Sequence, residues 1–240
     1  ILMRKTAVAI VGWGNVGRAC KRAISECSDM YLAGVVRRAS SLKTEDPTLE
    51  NTVVVSDIKE LGDVDVALLC IPSREVPQRI REYHAMGINT VDSFDEHHRI
   101  ISLRRELDVS AKVKKTVSII GAGWDPGTAS LIRALMKVVS LTGHTTTTFG
   151  GNKGGRSMGH TVQVKSIAGV KDAVALTLAN GRGKQKRKVY VELEKGADIT
   201  AIEKAILADD YFKNEPTEIM VVKNIDKYNT LQHSAEIERT

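Results

Sequence analysis

The segment IVGWGNVGR, Ile10 to Arg18, constrains the fold more than any other stretch of the 240-residue chain. The apolar run TAVAIVG leads into it, and NVGRACKRAISEC, with apolar residues at helical spacing, leads out. A strand that breaks into G-x-G-N-x-G and reopens as a helix is the setting in which a glycine turn can hold a pyrophosphate. Gly12 permits the tight turn, Gly14 lets backbone approach the ligand, and Gly17 lets helix pack closely on strand. Asn15 and Val16 complete the turn and open the helix, whose unpaired N–H groups and positive dipole end favour an anion.

The pattern that follows repeats the same grammar. MYLAGVVRR, DVALLCIPS, INTVDSF and KTVSIIGAG read as further strands, separated by helical stretches that include REVPQRIREYHAMG and HRIISLRRELDVSAKV. Apolar strands without strict alternation, interleaved with helices, predict a parallel sheet covered on both faces. The expected fold is α/β, a Rossmann-type doubly wound sheet over residues 1–123. Residues 124–240 change character, with threonine- and valine-rich strands and few helices, and predict an α+β domain with a mixed or antiparallel sheet and helices on one face. Within it, residues 126–140 are expected to form a helix with Asp125 as N-cap and Pro126 at the first helical position.

The end of the second strand selects the dinucleotide. NAD-binding folds place Asp or Glu there to accept hydrogen bonds from the ribose 2′-hydroxyl. This chain has Arg37 and Arg38, followed by Ser40 and Ser41. Guanidinium groups suit a phosphate dianion that a carboxylate would repel, so NADP is the expected cofactor. Cys70 to Ser73, the CIPS at the end of the third strand, is expected to pass the nicotinamide side, with Cys70 and Ser73 in contact with the cofactor.

The formal net charge of +6 is compatible with nucleic acid or with phosphate-bearing and acidic small molecules. Aromatic residues are scarce and none interleaves with the densest basic run, GRGKQKRK at 181–188, so a base-stacking surface is not expected. That run reads either as a solvated loop entering a strand or as the source of one substrate-facing arginine. No stretch approaches the roughly eighteen continuous apolar residues of a membrane-spanning helix, and ILMRKTAVAI is too short for a signal peptide. A cytoplasmic protein that binds neither membrane nor nucleic acid is expected. Cys20, Cys27 and Cys70 show no metal-ligand spacing, no metal site is expected, and Cys20 and Cys27 read as packing residues on one helix face.

Ligands of open α/β sheets bind beyond the carboxyl ends of the strands. Asp92, in TVDSFDEHH, and Trp124 with Asp125, in GAGWDPG, stand at two such ends. Two carboxylates near a nicotinamide could bind an ammonium group, accept a proton, or both.

Taken in order, VAIVGWGNVGR, VVRR, TVDSFDEH, GWDPG and SMGHTVQVKSIAGVKDAVALTL resemble the meso-diaminopimelate dehydrogenases, NADP-dependent D-amino acid dehydrogenases of bacterial lysine biosynthesis. The resemblance implies oxidation of the D-centre of meso-2,6-diaminopimelate to L-2-amino-6-oxopimelate and ammonia, a reversible reaction, and a homodimer. It assigns Asp92 and Asp125 to the substrate amine and Trp124 to the carbon chain. Met158 and Gly159 would lie on a loop closing over the reacting centre, Thr177 and Arg187 would hold a carboxylate, and His233 would contact the far end of the substrate. Members usually carry Gln where this chain has Met158, a change that either loosens selectivity toward other D-amino acids or is neutral. The resemblance also implies further residues after the last segment here, so 124–240 is expected to be shorter than the family's second domain. The competing readings are a broader D-amino acid or diamino acid dehydrogenase of this build, a reductase of the dihydrodipicolinate type, and a non-catalytic NADP-binding relative.

Overall fold

Thr6–Val11 (β1) is the centre of a six-stranded sheet, and its alternating side chains feed two separate cores. Val8 and Ile10 pack with Ile24, Val35 and Leu49 on one side, whereas Ala9 and Val11 join Ile80, Tyr83, Leu103 and Leu107 on the other. A strand buried on both faces must be apolar throughout, which is why this run shows no alternation in sequence. The computed structural model describes residues 4–44, 46–149, 155–156, 158–180, 185–228 and 235–240.

The described residues form two units, Ile1–Ser130 and Leu131–Thr240. In the first, β1 leads to α1 (Asn15–Ser25), β2 (Met30–Val36), β3 (Val54–Val55), β4 (Val66–Leu69), α2 (Val76–Ala85), β5 (Asn89–Asp92), α3 (Ile100–Lys114) and β6 (Ser118–Ile119). The strand order is β3-β2-β1-β4-β5-β6 and every pair is parallel. Helix α1 supplies Ile24 to one core, and α2 and α3 supply Ile80, Tyr83, Leu103 and Leu107 to the other, so the sheet is wound on both faces. This is the Rossmann-type sheet that the sequence predicts. Because all strands run the same way, Gly12, Arg37, Cys70, Asp92 and Gly121 emerge at one edge.

Helix α4 (Thr128–Val139) carries the chain into the second unit. There follow β7 (Thr145–Phe149), β8 (Gly155–Arg156), α5 (Met158–Lys165), β9 (Val170–Ala179), β10 (Gln185–Leu193), α6 (Ile199–Ala208), β11 (Thr217–Val221) and β12 (Ala235–Arg239). A mixed sheet of order β11-β10-β9-β8 has β10–β11 parallel and its other pairs antiparallel, and β7 pairs with β12 separately. Val164 of α5 and Ile202 and Ile206 of α6 pack on Ala173, Ala175, Val189 and Val191, which places both helices on one sheet face. The other face carries Val174, Leu176 and Ile225, beside the stacked Tyr190 and Tyr228 rings at 4.1 Å. The α+β second unit also matches the expectation.

Four local expectations are corrected. The two-residue β3 has no counterpart in the predicted strands. Cys27 lies beyond the end of α1, so it shares no helix face with Cys20, whose sulfur is instead 3.8 Å from that of Cys70. Helix α4 starts at Thr128, so Asp125 is not its N-cap and Pro126 is not its first residue. The reason is Gly127, whose φ of +133° lies outside helical space. Finally, Met158 and Gly159 form the first turn of α5 rather than a loop.

Candidate active site

The three glycines of the turn do three different things. Gly12 has φ +97°, and a Cβ there would lie 2.4 Å from the Cys70 carbonyl oxygen, so no side chain fits. At Gly17 a Cβ would come 2.4 Å from the Gly12 carbonyl oxygen, which makes this the position where helix and turn press together. At Gly14 a Cβ would meet nothing within 4 Å. That open space lies at the N-cap of α1, which has no side-chain cap and no acidic residue in its first turn. Helix α6, by contrast, is capped by Asp198, which accepts from the N–H groups of Thr200 and Ala201. The N–H groups of α1 are thus left for an anion.

Gly12, Gly14, Arg37, Arg38 and Cys70 all line one cavity of about 660 Å³ in the first unit. Arg37 Nη1 donates to the Thr44 carbonyl at 3.3 Å, and Arg38 Nη2 is 3.7 Å from Glu75 Oε1, which holds both guanidinium groups beyond the end of β2. The fit to a dinucleotide with an additional phosphate is good: open space over Gly14, free helix N–H groups, and two arginines with Ser41 on the cavity wall. Four expected contacts are not part of that wall. Asn15 and Val16 sit on the first turn of α1, Gly17 is packed beneath Gly12, and Ser73 Oγ is held by Asp95 Oδ1 at 2.5 Å.

Trp13 is a wall residue that sequence reasoning passed over. Its indole N–H donates to Asp46 Oδ2 at 2.9 Å, Arg18 Nη2 reaches the same oxygen at 2.8 Å, and the Arg18 guanidinium lies 5.8 Å from the indole centroid. Thr48 and then Arg18 hold the Asp46 carboxyl well below the usual carboxylate range. The only local signal was a large aromatic set between two glycines.

At the end of β5, Asp92 is 3% exposed. Its Oδ1 accepts from the N–H groups of Phe94 at 2.9 Å and Gly121 at 3.0 Å, and its carbonyl accepts from Ala122 at 2.7 Å. Oδ2 is buried with no hydrogen-bond partner among the described residues. Burial pushes the Asp92 carboxyl up, against the pull of the two backbone N–H groups. The GWDPG loop folds against the same strand end, since a Cβ at Gly123 would lie 2.9 Å from Ser93 Cβ. Gly127 closes that loop: its Cβ would lie 1.9 Å from the Gly123 carbonyl oxygen, and Thr128 and Ala129 donate to Gly123 and Trp124. Trp124, at 43% exposed, and the half-buried Asp125 are presented on it.

In the second unit, Thr177 of β9 and Arg187 of β10 are direct cross-strand partners. Arg187 Nη1 donates to Thr177 Oγ1, Nη2 is 2.8 Å from Glu215 Oε2, and the Arg187 N–H donates to the Pro216 carbonyl at 2.7 Å. Burial pushes the guanidinium pKa down while Glu215 opposes it. Gly155 of β8 pairs with Thr177, and α5 opens at Met158 three residues later. The first turn of α5 is tied down by His160, whose Nε2 is 3.1 Å from the Tyr211 carbonyl and whose ring meets Tyr211 and Phe212 edge-on. His233 lies outside the described residues. Glu215 is a second residue that sequence reasoning missed, and nothing local marks it.

Residues 123–239 match the family model described as the diaminopimelic acid dehydrogenase C-terminal domain. The meso-diaminopimelate D-dehydrogenase of Bacteroides fragilis is 46% identical over 237 residues, covering 99% of this chain and 78% of that protein. The chain belongs to the meso-diaminopimelate D-dehydrogenase family. It is therefore an oxidoreductase. Among solved structures, the C. glutamicum DAP dehydrogenase in complex with DAP superposes with TM-score 0.74 at 29% identity, covering 95% of this chain and 74% of that one. An engineered D-amino acid dehydrogenase bound to NADP+ gives TM-score 0.76 over 98% of this chain and 83% of its own, and at 24% identity that likeness is one of fold. Across the family match, the Asp92 strand end and the GWDPG loop fall in the first unit, and Thr177 and Arg187 in the second.

Proposed function

We propose that this chain catalyses the reversible, NADP-dependent oxidative deamination of the D-centre of meso-2,6-diaminopimelate, in which water hydrolyses the imine left by hydride loss to give L-2-amino-6-oxopimelate and ammonia. The observation that carries this reading is Asp92: a buried carboxylate with one oxygen fixed by two backbone N–H groups and the other unpaired, at the strand end beside GWDPG. The cofactor is NADP, which when bound accepts the hydride leaving the substrate's α-carbon. Gly12, Gly14 and the uncapped start of α1 hold its pyrophosphate, and Arg37 and Arg38 hold the additional phosphate.

Asp92 and Asp125 receive the reacting ammonium. The raised proton affinity of Asp92, caused by burial, suits its Oδ2 to take a proton from that group, which frees the nitrogen lone pair as hydride departs. Trp124 packs on the substrate's carbon chain, and Thr177 and Arg187 bind a carboxylate through the positive charge of Arg187. Met158 and Gly159, at the start of α5, border the reacting centre, and His233 contacts the far end. Functionally, residues 1–123 form the dinucleotide-binding domain, to which Asp92 belongs, and 124–240 form the substrate-binding and dimerisation domain. A homodimer is proposed as the working form, and sedimentation measures it. The apolar stripe Leu131, Leu135 and Val138 on α4, all more than 60% exposed, is the surface to substitute.

The test is reduced-nicotinamide formation with NADP and meso-diaminopimelate, beside NAD and a panel of simple D-amino acids. Turnover restricted to NADP and fastest with meso-diaminopimelate is expected. Faster turnover on simple D-amino acids contradicts the substrate assignment.

A further inference from the structure

Four buried side-chain atoms among the described residues have no hydrogen-bond partner: Asp92 Oδ2, Thr116 Oγ1, Arg187 Nε and Glu215 Oε2. A buried polar atom left unmatched is costly, and where it persists a ligand can be what completes it. Two of the four belong to a single pair. Arg187 Nη2 and Glu215 Oε2 stand 2.8 Å apart as an ion pair, yet Nε and Oε2 are both left without an aligned hydrogen bond. A buried pair this incompletely matched is poorly repaid for its desolvation.

The pair is fixed by the sheet rather than by chance rotamers. Arg187 is opposite Thr217 in the β10–β11 register, and its backbone N–H bonds to Pro216, the residue after Glu215. Glu215 is held in turn by its own N–H to the Phe212 carbonyl at 3.2 Å, and its carbonyl accepts from Thr217 Oγ1 at 3.0 Å. The guanidinium side chain is 9% exposed and the carboxylate side chain 31%, so solvent reaches the pair through Glu215, while Nε and Oε2 themselves are buried.

A guanidinium with an unmatched Nε beside a carboxylate that it satisfies only in part is the complement of a zwitterion. A ligand with a carboxylate alone would satisfy Arg187 and be repelled by Glu215. One with an ammonium alone would meet the opposite conflict. A carboxylate and an ammonium on one carbon answer both. We propose that Glu215 is a specificity-determining residue, taking the ammonium of the substrate's non-reacting amino-acid end while Arg187 takes its carboxylate. The proposal rests on the assignment of Arg187 to a substrate carboxylate made above.

Titration calorimetry of the full chain saturated with NADPH measures dissociation constants for meso-diaminopimelate, D-2-aminopimelate, which lacks the second ammonium, and D-lysine, which lacks the second carboxylate. The wild-type chain is expected to bind meso-diaminopimelate about tenfold or more tightly than either analogue. Glu215→Gln should weaken meso-diaminopimelate about tenfold while leaving D-2-aminopimelate unchanged or tighter, and Glu215→Asp should recover part of the loss. Equal weakening of all three ligands by Glu215→Gln, or no change in any, overturns the proposal. Turnover of meso-diaminopimelate by the wild-type chain is read separately. Absence of turnover with the ligand ranking intact contradicts the reaction and leaves the Glu215 assignment standing. Turnover with no Glu215-dependent ranking does the reverse.

Discussion

The cofactor cradle and the Arg187 cluster are built by opposite means. The cradle is made chiefly of backbone: a positive-φ glycine, an uncapped helix start, and two arginines directly after a strand. All of these are close in sequence to the strand ends that position them. The cluster is made of side chains that meet only because three strands lie in register, with Thr177, Arg187 and the residue before Pro216 drawn from separate segments. A backbone site is encoded locally, whereas a side-chain site across strands is encoded by pairing. The Asp92 end stands between them, a side chain fixed by backbone N–H groups from its own turn and from Gly121.

The largest effect should come from that intermediate region. Asp92→Asn keeps the shape of the side chain but removes the proton acceptor, and steady-state kinetics should show kcat reduced about 100- to 10,000-fold with NADPH affinity unchanged. Equal loss of NADPH affinity would mean that Asp92 supports the cradle instead. Because burial raises the Asp92 carboxyl, the wild-type oxidation rate should fall as pH drops through that raised value, and the profile should flatten in the variant.

Replacing Arg37 and Arg38 together with Ala sharpens the cradle side of the comparison. Affinity for NADP should fall on the order of ten- to a hundredfold while that for NAD is little changed, as measured by fluorescence titration. Parallel losses for both cofactors would remove the phosphate assignment.

Two of the three glycines of the turn separate structure from binding. Gly14→Ala places its methyl in open space at an ordinary backbone conformation, so thermal stability should hold while NADPH binding weakens about tenfold. Gly12→Ala forces a methyl against the Cys70 carbonyl and should lower the melting temperature directly. If both variants behave alike, the division between them is wrong.

What the sequence disclosed follows the same division. Strands, the glycine turn and the paired arginines were readable because each depends on neighbours a few residues away. Trp13 and Glu215 were not, because Asp46 and Arg187 give them their surroundings from 33 and 28 residues away. The start of α4 was misplaced because proline at a first helical position outweighed a glycine that leaves helical space at residue 127. The first turn of α5 was placed on a loop by the family resemblance, and its anchor, the Tyr211 carbonyl, is too distant in sequence to have signalled a helix start. Asn15, Val16 and Ser73 do not line the cavity with their side chains, and at the start of α1 it is the backbone N–H groups that are placed to meet an anion.

The smallest effect concerns the edge of the sheet that carries Asp92. His84 is fully buried between Ser110 at 2.9 Å and Ser118 at 2.7 Å, and Ser118 is 2.7 Å from Thr90. Burial lowers its pKa below the ordinary 6.5, so the folded state binds fewer protons than the unfolded chain. Its contribution to stability is therefore complete above pH 6.5 and is lost as pH falls below 6.5 toward the depressed folded value. Melting temperature should drop more steeply over that interval in the wild type than in His84→Gln. Identical slopes would show that His84 is not protonated on unfolding.

The most direct test of the account is an initial-rate measurement on the purified chain with meso-diaminopimelate and either NADP or NAD, followed by absorbance of the reduced nicotinamide. Turnover with NADP that is lost in Asp92→Asn, and little with NAD, is the expected result. A folded chain that binds NADPH but forms no reduced nicotinamide from meso-diaminopimelate would contradict it.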